Sequence, residues 1–123
     1  MNDIDWAELP SAALALARIV NQWRSHQGYA QGCRDRAAEI RAGKTPLPEG
    51  MSQADWAQFP DLLDSQAAQW DATADADAAE FRESVAKVVA AGRLTRAQTA
   101  QFTSVSTLDE ADAAVTALKR ELF

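Results

Sequence analysis

The residues best equipped for chemistry are a single histidine, His26, and a single cysteine, Cys33. On a helix, a spacing of seven points both side chains the same way, two turns and about 10 Å apart. A thiol nucleophile needs its imidazole within hydrogen-bond reach, and a zinc centre needs three or four ligands. No further His or Cys exists in the chain. Both residues therefore read as structural. His26→Gln is expected to leave any activity intact, and no metal or other cofactor is called for.

The carboxylates Asp71, Asp75, Asp77, Glu80 and Glu83 crowd one short stretch. Projected on a helix, Asp71 and Asp75 fall on one flank, with Asp77 and Glu80 toward the other. They do not converge on a point, and no Asp-x-Asp-x-Asp-Gly calcium loop is present. A solvated helix face is the first reading and an acidic docking face for a basic protein surface is the second. Arg34, Arg36, Arg41 and Lys44 form a small basic cluster, which the acidic stretch is expected to neutralise. Trp6 and Trp56 each stand four residues before a proline. They read as hydrophobic staples on the helices that follow, with an exposed interface anchor as the alternative, since Trp is favoured at binding hot spots. Phosphate-binding loops, serine-nucleophile motifs and zinc-ligand sets are missing, so catalysis is not expected.

Charge and hydropathy narrow the partners. A net charge of −6 repels nucleic acid and attracts basic surfaces, so direct nucleic-acid binding is not expected. No apolar run approaches the ~20 residues of a membrane-spanning helix. The acidic Met1–Asp5 segment lacks the basic-then-apolar order of a secretory signal. One cysteine rules out an intrachain disulfide. These features imply a cytoplasmic protein without membrane contact.

The elements that carry these residues are announced by a repeated phrase. Asp5-Trp6-Ala7-Glu8-Leu9-Pro10 returns as Asp55-Trp56-Ala57-Gln58-Phe59-Pro60. Each copy opens a long proline-free run that closes on Ala-Gly plus a basic residue, at Gly43 and Gly92. This is an internal repeat over 5–43 and 55–92, followed by a helical cap over 94–123, in one domain spanning 1–123. Each copy reads as a short turn, with Asn2 or Asp3 capping the first and Ser52 beginning the second. A proline then launches a long helix. The long helices are expected at about 11–42 and 61–91, separated by a linker holding Pro46, Pro48 and Gly50.

The first apolar seam is Ala12, Leu16, Ile19, Trp23, His26, Ala30, Cys33, Ala37 and Ile40, in steps of four and three. It keeps its phase across Gly28 and Gly32, which predicts one helix weakened near Gly28, against a two-helix alternative hinged there. The second seam is Leu63, Ala67, Trp70, Ala74, Ala78, Phe81, Val85 and Val88, with a stutter at the four-four step from Ala74 to Ala78. Residues 11–44 carry six basic residues and two acids, whereas 60–91 carry seven acids and two basic residues. The helices should thus pair antiparallel as a coiled-coil-like hairpin, with Ile40 near Leu63, Leu16 near Val88, Trp23 near Ala78 and Phe81, and Trp70 facing Ala30 and Cys33. Capping boxes at Thr95 with Gln98 and Thr107 with Glu110 predict two shorter C-terminal helices, the second burying Leu108, Ala111, Val115, Leu118 and Leu122. The result is an all-α, three-to-four-helix bundle.

Two functions follow as expectations. One is a non-catalytic protein–protein interaction module, a helical adaptor or assembly subunit whose uncovered seam meets a partner or a second copy of the chain as a homodimer. The other is a small acidic inhibitor, phage-type or nucleic-acid-mimicking, that blocks the basic nucleic-acid-binding surface of a larger protein. Its contact would be the Asp71–Glu83 face.

Overall fold

The computed structural model describes residues 4–123. They form four helices: α1 (Leu9–Arg41), α2 (Gln53–Ala91), α3 (Arg96–Thr103) and α4 (Leu108–Leu122). The described residues contain no strand. The long helices pack together and the two short ones follow, which is the all-α bundle the seams imply. The Asn2 or Asp3 cap lies outside the described residues.

Every expected seam position of α1 is buried or half-buried, from Ala12 to Ile40. α1 runs unbroken through Gly28 and Gly32, so the single-helix reading holds and the hinge does not. Gly43 ends it in the left-handed region at φ 73°. Its N–H bonds the carbonyl of Ile40, and the N–H of Lys44 reaches back to Glu39. This Schellman arrangement satisfies carbonyls that the helix end leaves open.

The two copies of the repeated phrase do not fold alike. In the first, the Asp5 carboxylate accepts a hydrogen bond from the Ala7 N–H and its carbonyl accepts one from Glu8. This turn holds Trp6 outside the helix, and Pro10 falls in the first turn of α1, where its missing N–H costs nothing. The second copy lies wholly inside α2. The Ser52 hydroxyl accepts from the Asp55 N–H, helix begins at Gln53, and Pro60 sits in the interior. The expected start near 61 is therefore wrong by two turns. Pro60 forgoes one backbone hydrogen bond, and its ring is buried, which offsets part of that loss.

The expected seam of α2 is buried or half-buried at every position from Leu63 to Val88, including Ala78 and Val85. Asp77 and Ser84, one position before each of these, are 7% and 6% exposed. The buried strip is therefore wider here than one apolar seam. Asp77 holds an interaction partner there, as a buried carboxylate must.

The chain divides into two compact units, Ser25–Ala74 and Met1–Arg24 with Asp75–Phe123. Within Ser25–Ala74, Ala37, Ile40 and Leu63 form a small core, with Cys33, Trp56 and Phe59 against it. This confirms the Ile40–Leu63 register. Antiparallel pairing is reinforced by ion pairs from Arg34 to Asp71 and from Arg41 to Asp61 and Asp64, the last two at 2.8 and 2.7 Å. Hydrogen bonds donated to the Asp64 and then the Asp61 carboxylate raise the pKa of the Arg41 guanidinium above its ordinary value. All these side chains are at least two-fifths exposed, so each pair adds little stability and serves mainly to favour one alignment.

In the other unit, the Trp23 and Phe81 rings lie 6.3 Å apart, as the register requires. Phe102 of α3 lies 6.4 Å beyond Phe81. α4 buries Ala111, Ala114, Val115 and Leu118. Leu108 and Leu122, at its ends, are half-buried. Both capping boxes form as the sequence predicts. Thr95→Ala should cost about 1 kcal/mol, because the Thr95 hydroxyl accepts from the Gln98 N–H at 3.1 Å. A downward shift of the denaturant midpoint at unchanged slope would show it; an unchanged midpoint would mean that α3 does not depend on its cap.

At α4 the Glu110 carboxylate accepts from the Ser106 hydroxyl at 2.8 Å, the Ser106 N–H at 3.1 Å and the Thr107 N–H at 3.1 Å. These bonds, led by the Ser106 hydroxyl, hold its pKa below the ordinary 4.5. A depressed folded value means that the stabilisation is complete above the unfolded value and fades as pH falls through the folded one. The Glu110 carboxyl carbon, followed by NMR, should thus titrate below 4.5, and in Ser106→Ala its midpoint should rise toward that value. A midpoint at or above it in the unaltered chain would contradict this geometry.

Candidate protein-binding groove

The residues singled out from the sequence do not assemble into one site. Asp71 is half-buried and paired with Arg34. Asp77 is buried. Asp75, Glu80 and Glu83 are exposed, and Glu83 lies 4.0 Å from Lys87 one turn on. Three of the five carboxylates therefore remain as a solvated face. Trp6 and Trp56 are both half-buried. Trp56 stacks on Phe59 with centroids 5.5 Å apart and so belongs to the edge of the Ile40–Leu63 core. The Arg36 guanidinium lies 5.9 Å from the same Phe59 ring.

Trp70 has more neighbours than expected. Its ring stacks on His26 at 5.5 Å and meets Tyr29 at 4.9 Å, aromatic contacts that the seam does not announce. A shallow depression of about 400 Å³ opens beside it, with Gly28, Gly32 and, as the register implies, Cys33 in its lining. Cys33 places its sulfur 3.9 Å from the Gln66 side-chain oxygen, a weak contact consistent with a structural thiol. Among the described residues, no three His, Cys, Asp or Glu side chains gather closely enough to hold a metal ion. No helix among them is long and apolar enough to cross a membrane.

A somewhat larger concavity lies elsewhere, in the unit that includes Asp75–Phe123. It is a groove of about 460 Å³ between the last three turns of α2 and the end of α3. Phe81, Val85 and Val89 line it from α2, and Phe102 and Val105 line it from α3 and the turn beyond. Arg82 and Thr103 are its polar lining residues. The walls are fixed locally. Gly92 ends α2 in the left-handed region at φ 74°, with its N–H bonded to the Val89 carbonyl. A short connection then leads into α3, which starts at the Thr95 cap. Gln98 uses its side-chain oxygen to accept from the Thr95 N–H at 2.8 Å and its amide to bond Glu121 of α4. One residue thus ties the start of α3 to both its own cap and α4.

Volume and lining suit an apolar occupant with one anionic contact. The shape is that of sites that accept drug-sized groups or side chains, mostly apolar with a few placed polar atoms. The sequence reading missed Val89, Ala86 and Ala90 because it followed only the inward seam. A signal was present: Arg82, Ala86, Val89 and Arg93 also step by four, three and four, a second stripe beside the first.

The fold and groove define a small all-α bundle with an apolar cleft on one of its units. Comparisons with protein-family models, curated proteins and solved structures find no match to this chain.

Proposed function

We propose that this chain is a non-catalytic protein–protein interaction module, a helical adaptor or assembly subunit acting in the cytoplasm, and that it engages its partner through the α2–α3 groove. The observation that carries this reading is the groove itself. Val85, Val89, Phe102 and Val105 line a concave apolar surface, and a concave apolar surface is where a partner's side chains gain most from leaving water. A second copy of the chain is one such partner.

The test uses the full chain as bait in an extract of its native host, beside a Val89→Gln variant. Val89 is only half-buried, so the variant should fold with a melting temperature close to the parent's. A specific protein should be captured by the parent and reduced at least tenfold by the variant. Equal capture by both would remove the groove reading. Light scattering between micromolar and millimolar concentration separates self-assembly from a foreign partner: a mass that doubles in the parent and not in Val89→Gln identifies the second copy.

The second reading is an acidic inhibitor of a basic, nucleic-acid-binding protein surface. It rests on Asp75, Glu80 and Glu83, which stand exposed on α2. Binding of that kind weakens steeply with salt. Reversing these three to Lys should abolish it, and capture that persists in the triple variant would count against it.

A further inference from the structure

The two flanks of the Ser25–Ala74 hairpin are built differently. On α1, counted from Cys33, Arg34 and Arg41 turn about 80–100° to one side, and Tyr29 and Arg36 turn about 40–60° to the other. The first side is closed by the ion pairs to Asp61, Asp64 and Asp71. The second holds the depression of about 400 Å³, whose lining includes Tyr29, Trp70, Leu63 and Arg36 and no carboxylate. Tyr29 is 55% exposed and Trp70 is half-buried, so both rings are accessible, tilted at 56° to each other. Arg36 is exposed, and its guanidinium rests 5.9 Å from the Phe59 ring. Asp35, its neighbour in sequence, accepts from Gln31 instead. Among the described residues Arg36 makes no ion pair, whereas Arg34 and Arg41 are committed to carboxylates. Gly28 and Gly32 leave this side of α1 bare, although a Cβ at either would meet nothing within 4 Å. Glycine in a helix interior is destabilising, and one use of it is close approach of the backbone to a ligand.

We infer that this side of the hairpin is a binding site for a small planar aromatic acid, independent of the α2–α3 groove. The Tyr29 and Trp70 rings supply aromatic contact, which favours a flat ring over an aliphatic chain. Above Gly28 and Gly32 that ring meets helix backbone with no side chain in between. Arg36 is the single charged group in the lining. Its paired N–H groups match both oxygens of a carboxylate, so the acid group of the ligand completes the ion pair that Arg36 lacks within the chain. Tyr29 and Arg36 stand about 10 Å apart along the helix, a span that suits a fused two-ring system with its carboxylate at one end. A volume of about 400 Å³ admits such a molecule. A cation of the same shape is repelled by Arg36, and an aliphatic acid forgoes the contact with the two rings.

The probe is naphthoate, titrated into the isotope-labelled full chain and followed by NMR. The Gly28 and Gly32 amides and the Trp70 indole N–H should shift saturably, with a Kd of about 1 mM or tighter. Naphthylmethylammonium carries the same rings with the opposite charge, and cyclohexanecarboxylate carries the same acid without aromatic rings. Each should bind more weakly by about tenfold or more. Arg36→Gln should lose about tenfold for naphthoate and nothing for the cation; the side chain is exposed, so the variant's melting curve should match the parent's. Gly32→Leu puts a side chain into the depression and should abolish the saturable shifts, with a melting temperature at or above the parent's because leucine is the better helix former. Val89→Gln, which alters the α2–α3 groove, should bind naphthoate as the parent does. Equal affinity for naphthoate and its cationic counterpart overturns the inference, as does binding that Arg36→Gln or Gly32→Leu leaves unchanged. A loss of binding in Val89→Gln would place the ligand in the other groove and overturns it too, and so does the absence of saturable shifts up to about 10 mM.

Discussion

Phe81→Ala should destabilise the protein by about 3–5 kcal/mol, a large share of the total stability of a domain this size. Phe81 is 1% exposed. It lies between the Trp23 ring at 6.3 Å and the Phe102 ring at 6.4 Å. Truncation removes the transfer free energy of an aromatic ring and leaves a void that neighbours on three helices cannot easily fill. It also strips Trp23 and Phe102 of their common aromatic contact, worth about 0.5–1.5 kcal/mol per pair beyond area. The melting temperature should fall by about 10–20 °C. Leu62→Ala is the control: Leu62 is 59% exposed, and its loss should change stability by no more than about 0.5 kcal/mol. Chemical denaturation of the three proteins side by side decides the matter. A loss below about 1.5 kcal/mol for Phe81→Ala would mean that its aromatic cluster is not a core.

That Phe81 would meet Trp23 is legible in the sequence. Two seams of matching period, joined by a short linker, leave few antiparallel registers. Large residues on one helix then find their partners by counting from the turn, and Ile40 with Leu63 follows from the same arithmetic. Capping boxes are equally legible, because Thr95 with Gln98 and Thr107 with Glu110 act within four residues and owe little to the rest of the fold. The misses have a common cause. Each comes from treating one residue's habit as stronger than its surroundings. Pro60 is a helix starter in isolation, yet the Ser52 cap and the packing of Trp56 and Phe59 on the Ile40–Leu63 core extend the helix through it. Asp77 is polar, so an apolar seam through Ala78 does not show that Asp77 beside it is buried as well. Register places Trp70 toward small neighbours but does not show that its half-buried ring also stacks on His26 and meets Tyr29 at a tilt. The groove was illegible for a different reason. Periodicity shows which face of α2 turns inward. It does not show that a helix of only eight residues leaves Val89 and the flank around it without a cover.

Gly28→Ala with Gly32→Ala should stabilise the chain by about 2 kcal/mol, about 1 for each site. Both glycines lie in the middle of α1, where the missing side chain increases the backbone freedom lost on folding. Mid-helix glycine is ordinarily explained by a close neighbour that leaves no room for a methyl group. Here a Cβ built at either position meets nothing within 4 Å. Nor is positive φ the reason, since the glycines with positive φ are Gly43, Gly50 and Gly92. Nothing inside the fold therefore requires glycine at 28 or 32, and alanine should enter without strain. The gain should appear as a melting temperature higher by about 5–10 °C and as slower hydrogen exchange in the middle of α1, where local opening is expected to be easiest. The comparison with Gly43→Ala sharpens the test. At φ 73° a side chain is strained by about 1–2 kcal/mol, so the same substitution should have opposite signs at the two kinds of site. A double variant no more stable than the parent would show that α1 in solution bends or opens at Gly28 in a way the straight seam conceals, and that its continuity depends on packing alone.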